Sequence, residues 1–126
     1  MQTPWGKADS VTDLGGNITQ VSTPNHGGIR VPLDTLLNTL SPAQVLYCQS
    51  LRCSKVGVTN WAWFEEDCDA LIPLLCIPGL FNRYVAECCS QLSQAEVNAL
   101  KATLTLSFGH WHSAWPTDSD AGLSLR

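Results

Sequence analysis

The sequence predicts an α+β fold in which a small antiparallel N-terminal sheet packs against four to five helices. Three observations carry this. The first 31 residues are rich in Gly, Thr, Ser, Val and Asn and hold hairpin-type turn chemistry. From Leu33 onward the apolar residues recur at three and four, the period of a helix face. A chain of 126 residues with 44% hydrophobic content is long enough to bury the core of one domain and short for two. The expected organisation is therefore a single domain over 1–126, mainly strands and turns over 1–32, mainly helices over 33–115, and a loose tail over 116–126.

Gly15-Gly16-Asn17 is the turn of a hairpin joining Ser10–Leu14 to Asn17–Ser22, because glycine and asparagine accept the positive φ that tight turns require. After the loop Thr23-Pro24-Asn25-His26-Gly27-Gly28, Ile29-Arg30-Val31 is a third strand that Pro32 stops or confines to an edge. Leu33, Leu36, Leu37 and Leu40 mark a first short helix. Ser41-Pro42 then supplies an N-cap and a first-turn proline for a second, carrying Val45, Leu46 and Cys48. Arg52–Asn60 is a loop.

Phe64, Cys68, Leu71, Ile72 and Leu75 repeat at helical spacing, which predicts an amphipathic helix from Trp61 to about Cys76, kinked at Pro73, with Glu65, Glu66 and Asp69 pointing away from the core. Pro78 starts a helix whose apolar positions run through Phe81, Val85, Cys88 and Leu92. Ser93-Gln94-Ala95-Glu96 is a capping box, and Val97, Leu100, Leu104, Phe108, Trp111 and Trp115 continue on one face to Pro116. Thr103–Leu106 also alternates as a strand would, but the three-four rhythm on both sides of it favours helix.

A charged fraction of 14% with five tryptophans leaves apolar surface for contact with a partner. Seven basic against eleven acidic residues provide no basic stripe, which disfavours direct nucleic-acid binding and suits a basic partner. The N-terminus has no signal-peptide pattern and no run approaches the ~20 apolar residues that span a bilayer, so a cytoplasmic location away from membranes is expected. In that setting the six cysteines are expected as free, mostly buried thiols.

The densest chemistry lies in Trp61-Ala62-Trp63-Phe64-Glu65-Glu66-Asp67-Cys68-Asp69, where four of eleven acidic residues fall within five positions beside aromatic rings. At a helix start such carboxylates stabilise the macrodipole by about 0.3–1 kcal/mol each and need do nothing more. The functional reading is a partner contact: Glu65, Glu66, Asp67 and Asp69 meet Lys or Arg of another protein, and Trp61 and Trp63 anchor the interface. Chemistry is weaker. His26 before Gly27-Gly28 is placed for general-base work with Cys68, Ser22 or a carboxylate, yet a histidine in such a loop more commonly fixes a turn. A zinc site would recruit Cys48, Cys53, Cys68, His26 or the His110/His112 pair, but no CxxC pair occurs and Cys68, Cys88 and Cys89 fall on apolar helix faces. No cofactor, metal or catalytic residue is therefore assigned.

Thr3-Pro4-Trp5-Gly6, Val21–Ile29 with its Ser-Thr-Pro-Asn-His-Gly-Gly core, Trp63–Cys68 and Pro78-Gly79-Leu80-Phe81 together resemble an uncharacterised domain family of accessory proteins on phages and plasmids. Size and acidity are also similar to an anti-CRISPR protein acting on a type I system. That resemblance implies a non-enzymatic inhibitor in a host cytosol, which binds the basic DNA-recognition surface of a CRISPR-Cas effector subunit through carboxylates that mimic phosphate. Glu65, Glu66, Asp67 and Asp69 would carry the contact, with Asp9, Asp13 and Asp34 as outlying charges, although a net charge of −4 is mild for a DNA mimic. The alternatives are a small mobile-element enzyme using His26 with a Cys or carboxylate partner, and a structural zinc-binding module.

Overall fold

A computed structural model of the chain describes residues 1–117. The expected tail lies almost wholly outside them. The described residues form an α+β structure with a two-stranded ribbon, β1 (Gln2–Thr3) and β2 (Gly6–Lys7), followed by a four-stranded antiparallel sheet in the order β3 (Ser10–Asp13), β4 (Thr19–Ser22), β5 (Gly27–Pro32) and β6 (Trp61–Glu65). The helices are α1 (Leu33–Thr39), α2 (Pro42–Gln49), α3 (Leu71–Cys76), α4 (Leu80–Cys88) and α5 (Gln94–Trp111).

The predicted hairpin is present: Asp13 pairs with Thr19 across a turn in which Gly15, Gly16 and Asn17 all have positive φ. Asp13 Oδ1 accepts from the Gly15 N–H at 2.8 Å, so this outlying carboxylate fastens a turn. Pro32 ends β5, as expected of a residue that cannot donate to a ladder, but β5 is an interior strand flanked by β4 and β6 rather than an edge.

The helix predicted from Trp61 is the principal correction. Trp61 to Glu65 pair with Pro32 to Gly28 as strand β6, and only Leu71–Cys76 is helical. The aromatic run has the β propensity of a pleated, buried strand, and the free side of β5 supplies its ladder partners. Ala62 and Phe64 face the core opposite Val31 and Ile29, while Trp61, Trp63 and Glu65 leave the other face. Pro73 occupies the first turn of α3, where no N–H is required, and so begins a helix rather than kinking one.

The core lies between the sheet and the helices and centres on Phe64, Ile72, Leu36, Leu80, Val31 and Cys48. Both capping boxes, Ser41 with Gln44 and Ser93 with Glu96, have their reciprocal bonds in place. Helix α5 carries no fully buried residue; Phe108 is half-buried but Trp111 is 59% exposed, so its predicted apolar face is only partly used. All six cysteines are free, yet only Cys48 is fully buried and Cys53 is exposed. No helix among the described residues is long and apolar enough to cross a membrane.

Candidate functional site

Three of the four sequence blocks singled out above converge where β5 meets β6. Thr3 Oγ1 donates to the Gly6 carbonyl at 2.6 Å and accepts from the Trp5 N–H at 3.1 Å, shaping the β1–β2 turn so that Trp5 lies over the sheet. Trp5 Nε1 donates to the Cys53 carbonyl at 3.0 Å, and its ring meets Trp63 edge-on at 6.1 Å. Thr23 Oγ1 donates to the His26 carbonyl at 2.6 Å and accepts from the His26 N–H at 3.0 Å, which closes the loop leading into Gly27-Gly28.

Those glycines are required by the approach of neighbours. A Cβ on Gly28 would strike the Phe64 carbonyl and the Trp5 ring, and a Cβ on Gly27 would lie 2.7 Å from Glu66 Oε2 and 2.8 Å from the Val21 carbonyl oxygen. The backbone of the acidic stretch is therefore laid directly on that of the glycine pair, with the Glu66 N–H donating to the Gly27 carbonyl at 2.9 Å.

The four predicted contact carboxylates divide into two kinds. Glu65 and Asp69 are buried, at 7% and 8% exposure, which corrects the expectation that both point to solvent. The reason is the strand: Glu65 sits opposite Gly28 under the loop, where Oε2 accepts from the Asp67 N–H at 3.3 Å and Oε1 lies 3.8 Å from His26 Nδ1. Burial raises the Glu65 carboxyl above its ordinary range, partly offset by the Asp67 N–H and reinforced by the neighbouring Asp67, Asp69 and Glu66 charges. Asp69 Oδ2 accepts from Ser54 Oγ at 2.6 Å, and Ser54 in turn accepts from the Glu65 N–H at 3.1 Å. Ser54 thus joins the Arg52–Asn60 loop to both carboxylate segments; nothing in its sequence surroundings marks it.

Glu66 and Asp67 are exposed and border a cleft of about 240 Å³ that Gln20, Gly28, Leu74 and Tyr84 also line. Burial, then the nearby Cys89 and Cys88, raises the Tyr84 phenol, which keeps it a neutral hydrogen-bonding group at the cleft wall. The ligand oxygens of Glu65, Glu66 and Asp67 lie within 4.8 Å of one another, an all-oxygen set of the type that suits a hard divalent cation, and exposed carboxylates also gather in this way without one. Among the described residues no comparable group joins Cys48, Cys53, Cys68, His26, His110 or His112.

Trp63 is buried, and Trp61 is half-buried with the Arg30 guanidinium 3.7 Å above its ring, so neither stands beside Glu66 as a free anchor. Cys68 lies in the turn after β6 rather than on a helix face, and burial raises its thiol. His26 keeps half its side chain exposed. Asp9 and Asp34 are exposed, and Asp34 borders a separate groove beside Trp61.

Fold and site thus define a small α+β domain whose glycine pair seats a partly buried acidic turn at the mouth of a narrow cleft. The chain belongs to the family described as Domain of unknown function (DUF7007), whose model matches residues 1–105. No curated protein and no solved structure matches it.

Proposed function

We propose that the protein is a non-enzymatic binding module that takes a cationic side chain of a partner protein into the cleft beside Glu66 and Asp67. The observation that carries this reading is the division of the acidic stretch: two carboxylates are spent on holding the turn, and the two left in water border one concave site. An arginine or lysine entering there meets both charges, the Gln20 amide and the Tyr84 hydroxyl. The finer reading is an inhibitor that occupies the basic DNA-recognition surface of a type I CRISPR effector subunit. Phosphate mimicry by a long carboxylate array has little support, because Glu65 and Asp69 are turned inward; capture of one or two basic side chains has more.

The test is capture of a purified type I surveillance complex by the immobilised protein, repeated with Glu66→Lys and Asp67→Lys and followed by a DNA-binding assay on the complex. The reading expects capture, impaired DNA binding, and loss of both with either variant while the circular dichroism spectrum is unchanged. Absence of capture removes the CRISPR target. Binding of an arginine-rich peptide that ignores both substitutions removes the cleft itself.

A second reading rests on the His26–Glu65 approach at 3.8 Å, which puts a half-exposed imidazole next to a buried carboxyl, as in an acid/base pair. A hydrolase screen in which activity appears and vanishes with His26→Ala would favour it over the binding module.

A further inference from the structure

The face of the sheet opposite the core carries a different chemistry from the acidic cleft. Thr19 stands opposite Arg30, Arg30 opposite Trp63, and Trp63 opposite Lys55, so these side chains leave the same face in one row. Within that row Arg30 is held by aromatic stacking, its guanidinium carbon 3.7 Å above the Trp61 ring and 5.7 Å from that of Trp63. No carboxylate among the described residues lies within ion-pair distance of it. Its Nε and the Oγ1 of the cross-strand Thr19 are buried without a hydrogen-bond partner. Burial also lowers the Arg30 value, the expected effect of removing water from a cation that gains no counter-charge. A half-buried guanidinium held over an aromatic ring, its Nε without a partner and no counter-charge beside it, is prepared to meet an anion.

Trp61 also lines a groove of about 390 Å³ with Asn17, Asn60, Asp34, Pro32 and Leu33. Ligand pockets typically measure about 300–1,000 Å³. The groove offers an indole and a proline as flat apolar walls, two amides that both donate and accept, and one carboxylate that accepts. That combination suits a planar heterocycle bearing ring N–H and carbonyl groups, and the cation beside it suits phosphate.

We infer that this face binds a nucleoside phosphate unit, its base in the groove against Trp61 between Asn17 and Asn60, its phosphate on Arg30 and Lys55. This goes beyond the cleft reading and uses none of its residues. It also runs against the expectation drawn from composition that nucleic acid is disfavoured: a net charge of −4 is an average over a surface on which Arg30 and Lys55 flank Trp63 on one face.

Two probes distinguish the sources of such a unit. A fluorescein-labelled 12-mer of oligothymidylate, followed by anisotropy at low salt, reports a single strand, and thymidine 5′-monophosphate, followed by isothermal titration, reports a free nucleotide. Binding of either is expected. Loss of a stacked base costs about 1–3 kcal/mol, so Trp61→Leu should weaken the bound probe roughly 5- to 150-fold. Trp61→Phe should restore most of the loss, and Lys55→Glu should weaken binding without altering the thermal midpoint. Binding of both probes with the same Trp61 dependence identifies a single-nucleotide pocket; binding of the strand alone, weakening steeply with salt, identifies a strand platform. Failure of both probes overturns the inference, as does binding that Trp61→Leu leaves unchanged. An Asp/Glu-rich peptide that binds where neither nucleotide probe does overturns it as well.

Discussion

His112 Nε2 lies 2.9 Å from the Cys68 carbonyl oxygen, which ties the end of α5 to the turn that follows β6. The carbonyl can only accept, so Nε2 carries the hydrogen; in the neutral ring Nδ1 then accepts from the Tyr47 hydroxyl at 2.7 Å. With 4% exposure and ring contacts to Tyr47 and Phe108, this histidine is a structural strap joining α2, α5 and the acidic turn. Its sequence neighbour His110 is exposed and takes no part.

Replacing His112 by Phe keeps the ring volume and removes both bonds. The Cys68 carbonyl and the Tyr47 hydroxyl then lose their partner, at an expected cost of about 1–3 kcal/mol in urea denaturation. A midpoint equal to that of the wild type would mean that the strap contributes packing alone.

The glycines predict opposite signs at different places. Gly28→Ala drives a methyl group into the Phe64 carbonyl and the Trp5 ring, and should cost at least about 3 kcal/mol or prevent folding. Gly109→Ala meets nothing within 4 Å on a helix and should stabilise by about 0.5–1 kcal/mol. Thermal midpoints of the two variants, read together, check the close strand contact; a well-folded, fully stable Gly28→Ala protein would contradict it.

Thiol labelling should separate the cysteines. Cys53 is exposed, whereas burial pushes Cys48 up to about 12 and Cys76 up to about 11. With Ellman's reagent at pH 8, Cys53→Ser is expected to abolish the fastest phase, and Cys48 and Cys76 should react only on unfolding. Native Cys48 reacting as fast as Cys53 would contradict the burial of the α2 face.

The Glu65 carboxyl has its value raised in the native state, chiefly by burial. The native state therefore favours its protonated form. The associated stability is fully present below the unfolded value of about 4.3 and is lost as pH rises through the raised native value. Glu65→Gln removes this titration while keeping an acceptor for the Asp67 N–H. Across pH 4–7 the variant's stability curve should lie flatter than that of the wild type, measured by urea denaturation at each pH; parallel curves would refute the assignment.

What the sequence revealed depended on how local the signal was. The β3–β4 turn, the Ser41 N-cap and the Ser93–Glu96 capping box are written in two to four adjacent residues, and each formed as expected. Strand β6 was misread because its apolar residues satisfy a helical period together with those of α3, and only pairing with β5 decides between the two. The same long-range pairing inverted the exposure expected of Glu65, since strand alternation, not helical rotation, sets the direction of its side chain. Glu66 kept its predicted exposure, and Asp67, for which none was predicted, is exposed as well. Ser54, Gln20 and Tyr84 carried no local signal, because each joins the site from an element distant in sequence.

The pairing of β5 with β6 also governs when the site can exist. Between the two strands the chain makes α1, α2 and the Arg52–Asn60 loop, so the ribosome releases the glycine pair well before the acidic turn that seats on it. Pairing strands across so long a connection is slow relative to local hairpin and helix formation. Until Trp61–Glu65 docks, β5 is paired on its β4 side alone, and Ile29 and Val31 lack their partners Phe64 and Ala62 on the other. The unfinished chain thus presents a sticky edge, and the docking that conceals it is the same event that gives the molecule its cleft.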